Sequence, residues 1–279
     1  DRGESFMTSQ WERLLKNEGT WVGSFTQLSP QGAVLNDIPT VVALKPLDGG
    51  KVMRQEITQS PSGESPQTTV LEYRSLGKSV LFFENGAFSQ GSIQWGPFSE
   101  FGAELGLIAG EQRLRLAQVF GKDQQLKSLT LIREHLANTT PLQRPALTLQ
   151  DLEGTWQGEA VTLYPDLQPS EAYATRLDIT RKGDTVQQAL HIGEGRPPIS
   201  SEGTVEGDRI LFQSGSQTVR VLLLPDGASS TCPTHIEPRQ PLFLEVGWLV
   251  GPNRRQRMIR QYTAQGAWAS LTLAMEERK

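Results

Sequence analysis

Gly19-Thr20-Trp21-Val22-Gly23 returns 135 positions later as Gly154-Thr155-Trp156-Gln157-Gly158, which restricts the chain to a fold that is built twice. The ends match as well: Ser128-Leu129-Thr130-Leu131 recurs 142 positions on as Ser270-Leu271-Thr272-Leu273, so the second copy has gained a few loop residues. A repeat this long is a whole small domain and not a solenoid unit.

Each copy opens on a short helical signal and then changes period. Ser9 is placed to cap a turn in which Trp11, Leu14 and Leu15 share one face. From Trp21 the apolar residues alternate, with Trp21, Gly23 and Phe25 on one side of a strand. Further strands are expected at 38–44, 52–59, 68–74, 80–84, 93–95, 104–108, 113–120 and 126–136, with Asn85-Gly86 as the strongest hairpin signal. The second copy is expected to place strands at 155–163, 172–180, 186–192, 203–213, 218–224, 242–250, 254–262 and 267–276. Many short antiparallel strands without intervening helices favour closure, which removes exposed edges. The polar, proline-bearing stretch 138–147 lacks periodicity. The expected organisation is therefore a barrel over 7–137, a linker over 138–147 and a second barrel over 148–279, the latter preceded by a single helical turn capped by Thr148.

A net charge of −4 gives no general attraction for nucleic acid. No apolar run approaches the roughly 18 residues needed for a membrane-spanning helix, so membrane insertion is not expected. Residues 1–6 ahead of Met7 carry no apolar stretch and are read as neither signal peptide nor anchor. Cys232 is the single cysteine; it excludes an intramolecular disulfide, fits a reducing, cytoplasmic setting, and in its Ser-Ser-Thr-Cys-Pro-Thr-His context is expected to be an inert loop thiol.

A glycine, one residue and a tryptophan at the start of the first strand, after a short helix, resembles the lipocalin and wider calycin signature, and both copies carry it. The resemblance implies an all-β fold of two tandem lipocalin-like (calycin) antiparallel β-barrels with a short N-terminal helix, each tryptophan closing one barrel end. It also implies a basic residue on the last strand packed over that tryptophan. Arg133 fits this role in the first copy, whereas the related position in the second is Met275. Gly154 to Gly158 followed by Tyr164-Pro165 also looks like the nitrobindin-type haem barrels, but residues 267–279 hold no histidine for an iron. Across its length the chain is similar to a two-barrel calycin family of unassigned function from cyanobacteria and plastids, whose fold-level relatives include the S-type phycobiliprotein lyases.

Arg113 and Arg115 recur 142 positions on as Arg255 and Arg257, two apart on a strand and so on one face. With an apolar interior they face solvent; facing inward, either pair would clamp a ligand carboxylate. Glu134 and Glu276 recur likewise and are expected to be exposed strand residues. Trp95 and Phe98 lie in the most aromatic loop, Trp95-Gly96-Pro97-Phe98, which either completes a core or forms a mouth for a planar ligand. His135, His191 and His235 have no partner at metal-ligand spacing, so no metal or cofactor is expected. Three functions stay open. One is a non-enzymatic carrier of a small hydrophobic molecule: a bilin, chlorophyll derivative, carotenoid or fatty acid. The second is a phycobilin chromophore lyase, and the third a protein-interaction module with filled barrels.

Overall fold

A computed structural model describes residues 8–168 and 170–279; residues 1–7 and 169, and with them the reading of the N-terminal leader, lie outside the described residues. The chain begins with helix α1 (Gln10–Leu14), closed by a reciprocal cap in which Ser9 Oγ accepts from the Glu12 N–H and Glu12 returns a carboxylate to the Ser9 N–H. Nine antiparallel strands follow: β1 (Gly19–Leu28), β2 (Val34–Leu47), β3 (Val52–Gln59), β4 (Gln67–Tyr73), β5 (Val80–Phe82), β6 (Phe88–Gly91), β7 (Phe101–Ala109), β8 (Gln112–Phe120) and β9 (Leu126–Leu136). They form one curled sheet in the order β4-β3-β2-β1-β9-β8-β7-β6-β5. A second short helix, α2 (Leu149–Leu152), carries the same kind of cap through Thr148 and Asp151. It leads into β10 (Gly154–Leu163), β11 (Tyr173–Lys182), β12 (Thr185–Ile192), β13 (Ile199–Glu206), β14 (Arg209–Ser214), β15 (Gln217–Leu223), β16 (Ala228–Pro233), β17 (Leu242–Gly251), β18 (Arg254–Tyr262) and β19 (Trp268–Arg278), which close into a ten-stranded barrel. Among the described residues no helix is long and apolar enough to cross a membrane.

The nearly all-β architecture is as expected, and closure by hydrogen bonds is found in the second half only. The first half stays open between β4 and β5. The Asn85-Gly86 turn forms the β5–β6 hairpin, with Gly86 at φ +91° and Asn85 Oδ1 accepting from the Ala87 N–H at 2.9 Å. Residues 203–213 are not one strand but parts of two, because Gly207 at φ +63° turns the chain between β13 and β14. Residues 93–95 contribute a single bridge, Gln94 to Ala267, and no strand. Strand β16 lies in a Ser- and Thr-rich stretch without an alternating apolar pattern. All six of its residues are buried, so Cys232 is a strand residue and not a loop thiol. Burial pushes that thiol up to about 12, which leaves it inert.

The largest apolar cluster lies between the sheet and the barrel. Leu105, Leu107, Leu114 and Leu116 from β7 and β8 meet Leu244, Val246, Trp248 and Met258 from β17 and β18. Two polar residues related by 142 positions cross this contact in opposite senses. The Gln118 amide donates to Ser230 Oγ at 2.9 Å, and the Arg260 guanidinium donates to Ser89 Oγ at 3.1 Å. Each half thus presents the same patch to the other, as in a two-fold dimer. Arg260 is 0% exposed, stacks 3.5 Å from the Trp268 ring and also donates to the carbonyls of Ser79 and Ser92.

Truncating Leu116 to alanine removes a residue central to this contact and is expected to cost about 2–5 kcal/mol. Because the contact joins both halves, they should unfold together in one shifted transition in urea; two separated transitions in the wild type would contradict a shared core.

Candidate functional site

The two glycines and the tryptophan of the repeated pentapeptide each have a structural cause. Gly19 and Gly154 adopt φ +136° and +122°, a region that favours glycine. Trp21 and Trp156 are buried, and each indole N–H donates to the carbonyl four residues earlier, to Asn17 at 3.0 Å and to Leu152 at 2.9 Å. Each ring is thereby locked to the helical turn that precedes its strand. Gly23 and Gly158 let the first and last strands of each half approach. A Cβ at Gly23 would fall 1.8 Å from the Arg133 carbonyl oxygen, and one at Gly158 would fall 2.0 Å from that of Met275.

Opposite Gly23 in the ladder stands Glu134, and opposite Glu134 stands Arg113. All three share the concave face of the curled sheet, so the expected exposure of Glu134 and of the arginines is corrected. The Glu134 side chain is 0% exposed and receives two guanidiniums. Arg113 donates through Nε to Oε1 at 2.9 Å and through Nη2 to Oε2 at 3.3 Å; Arg115 does the same at 2.9 and 3.2 Å. Arg115 also donates to Glu104 Oε1 at 2.5 Å, and Arg113 to Asn17 Oδ1 at 3.1 Å. Burial alone would raise the Glu134 carboxyl, but the charges of Arg115 and Arg113 override it and hold it down at about 2. Burial lowers Arg113, whereas the two carboxylates on Arg115 outweigh burial and raise it.

The barrel repeats the arrangement. Arg257 donates to Glu276 at 2.7 and 3.3 Å and to Glu245 at 2.9 Å, and Arg255 Nη1 stands 3.9 Å from Glu276. The arginines face inward because the outward face of β8 and β18 is the apolar one, committed to the contact between the halves. Arg133 does not pack over a tryptophan; it donates to Thr26 Oγ1. Arg113 sits 4.6 Å from the Trp21 ring instead, and Arg278 lies 5.1 Å from Trp156 while donating to the carbonyls of Asp151 and Glu153 beside α2. Sequence reasoning missed Glu104 and Glu245, although the aligned Glu104-Leu105-Gly106 and Glu245-Val246-Gly247 carried the signal.

The aromatic loop lies away from both clusters. Trp95 packs at the edge of the apolar contact and its backbone N–H donates to the Gly266 carbonyl at 2.7 Å. Phe98 projects into solvent, 82% exposed, at φ +67°. His191 lies 3.4 Å from Asp178, and His235 is hydrogen-bonded to Gln125 at 2.7 Å. A shallow groove of about 410 Å³ runs across β11, β12 and β13, lined in part by Asp178, Gln187 and Glu202.

Residues 7–139 match the family described as Domain of unknown function (DUF3598), N-terminal, and residues 143–279 match Biogenesis factor required for ATP synthase 1, C-terminal domain. The crystal structure of a DUF3598-family protein of unknown function from Nostoc punctiforme PCC 73102 is 48% identical over 98% of this chain and 100% of that one, with a TM-score of 0.91. The S-type phycobiliprotein lyase CPES from Guillardia theta is similar at 15% identity over 47% of this chain and 89% of that one. Its TM-score is 0.39. No curated protein matches the chain.

Glu134→Gln leaves two buried guanidiniums undercompensated and should destabilise the protein by about 3–5 kcal/mol. The Glu134 carboxyl is lowered on folding from 4.5 to about 2. Its contribution, about 3 kcal/mol, is therefore complete above pH 4.5 and lost as the pH falls towards 2. Unfolding free energy measured across that window should fall more steeply in the wild type than in the variant; equal slopes would remove Glu134 from the acid response.

Proposed function

The chain belongs to the DUF3598 family, and we propose that it is a non-catalytic assembly factor that binds a protein partner, in the manner of a biogenesis factor for an ATP synthase. The observation that carries this reading is the self-neutralisation of both arginine pairs. In each half two guanidiniums face two carboxylates of the same chain, Glu134 with Glu104 and Glu276 with Glu245. A propionate or fatty-acid carboxylate entering either cluster would have to displace an internal partner and strand it in a buried site. The match of residues 143–279 to the C-terminal domain of an ATP synthase biogenesis factor supports the choice of partner. We read the halves as copies of one domain, 7–137 and 148–279 joined by 138–147, and the protein as cytoplasmic.

One observation favours a small-ligand reading as second. At the end of the barrel opposite α2, Ile199 pairs with Leu190 on the lumen side and is 63% exposed, and Phe243 and Ile259 are half-buried on the lumen faces of β17 and β18. A bilin, chlorophyll derivative, carotenoid or fatty acid would lodge there without using the arginines, and a lyase activity would build on the same seat.

Both readings are tested with the purified protein. Mixed with separately purified soluble subunits of an ATP synthase, it should co-elute with one of them and bind saturably by calorimetry. Incubated with biliverdin or chlorophyllide, it should leave the visible spectrum unchanged. A saturable spectral shift without subunit binding would reverse the order of the two readings.

A further inference from the structure

The barrel closes with ten strands and the curled sheet has nine, and the ladder order identifies the missing one. Both halves begin with a strand that pairs with the next and with the last: β1 with β2 and β9, β10 with β11 and β19. Counting outward, β2, β3 and β4 correspond to β11, β12 and β13. Counting inward from the last strand, β8, β7, β6 and β5 correspond to β18, β17, β16 and β15. Strand β14 has no counterpart. In the barrel it stands between β13 and β15, paired with both from Arg209 to Phe212, and with Ile210 and Phe212 inside the barrel core. In the first half only residues 74–79 separate β4 from β5, and they form no ladder with β4. The barrel uses residues 207–216 to make the same passage with a strand in it. Six residues reach at most about 20 Å fully extended, too little to turn, pair along β4 and return.

The two sides of the gap are treated differently. On the β5 side the Gln10 side chain acts as a strand would. Its amide oxygen accepts from the Phe82 N–H at 2.7 Å and its amide nitrogen donates to the Phe82 carbonyl at 3.0 Å, while Arg13 donates to the same carbonyl at 3.1 Å. On the β4 side the outer edge has no ladder partner among the described residues. Gln67-Thr68-Thr69-Val70-Leu71-Glu72 is exposed throughout and carries no proline, glycine or lysine, the devices that normally blunt a sheet edge. Its concave face presents Leu71, 49% exposed, beside half-buried Ile57 and Gln55.

The geometry points to a strand-acceptor slot on β4: one extended segment of a partner polypeptide, about six residues with apolar side chains at alternate positions, adds antiparallel to β4 and takes the place that β14 fills in the barrel. Main-chain hydrogen bonds supply affinity and the alternate side chains supply selection, as in other cases of strand addition. The occupant is a free terminus or loop and not a second copy of this chain. The sheet curls back towards a capped edge, and the related barrel closes the same interval with one strand, whereas a second β4 would bring its own β3 and β2 into that interval. The slot deepens the assembly reading and rests on it only for the source of the strand.

The probe is a fluorescein-labelled peptide of residues 207–216, Gly-Asp-Arg-Ile-Leu-Phe-Gln-Ser-Gly-Ser, titrated with the full chain and followed by anisotropy. Saturable binding is expected, at least tenfold weaker for a peptide carrying Ile210→Asp and Phe212→Asp and for protein carrying Leu71→Lys or, separately, Thr69→Lys. Both protein substitutions are on an exposed strand, and circular dichroism checks that they fold. Amide hydrogen exchange in 67–72 should slow when the peptide is bound. Absence of saturable binding, or binding that ignores both β4 variants, overturns the slot and leaves the subunit-binding result of the preceding section standing. Self-association of the chain that Leu71→Lys abolishes would assign the edge to a second copy and overturn the partner-strand assignment.

Discussion

Burial of both faces of β7, β8, β17 and β18 is the constraint on which the rest depends. In an isolated barrel the apolar face of each strand points to the lumen and the polar face to water. Here the outward faces are consumed by the contact between sheet and barrel, where Leu105, Leu107, Leu114 and Leu116 are fully buried. The inward faces of β8 and β18 are left to carry Arg113, Arg115, Arg255 and Arg257. Charges placed there have to be compensated from within, and the carboxylates that do so come from the flanking strands β7, β9, β17 and β19.

Buried ion clusters are poor sources of net stability, since desolvation offsets much of the attraction. Their effect here is on register. Arg113 faces Glu134 directly across the ladder and Glu134 faces Gly23, so a one-residue slip of β9 would turn its carboxylate to the apolar side and set a side chain against the glycine gap. The two tryptophans fix the other coordinate, since each indole is tied to a carbonyl four residues before it.

Much of the fold was legible in the sequence because it rests on local signals. The pentapeptide marked both starts, Asn85-Gly86 marked its hairpin, and Leu126 to Leu136 and Arg254 to Tyr262 were readable to the residue from their patterning and flanking turns. Strand β16 was not legible, because Ala228-Ser229-Ser230-Thr231-Cys232-Pro233 is small and polar, chosen to fit between two halves and not to form an apolar face. The orientation of the arginines was not legible either. Both faces of β8 are buried, so which one lines the concave side depends on a partner more than a hundred residues away. Open or closed ladders likewise hinge on one short segment, 74–79, whose composition resembles any turn.

The ladder between β10 and β19 places the last-made strand of the barrel beside its first. During vectorial synthesis the curled sheet is complete, through β9, well before β17 and β18 leave the ribosome. For that interval the leucine face of β7 and β8 has no cover. At about 5–20 residues per second the exposure lasts on the order of ten seconds. The main apolar contact of this architecture thus joins a segment made midway through synthesis, 101–120, to one made near its end, 242–262, and solubility during the wait rests on the chain that lies between.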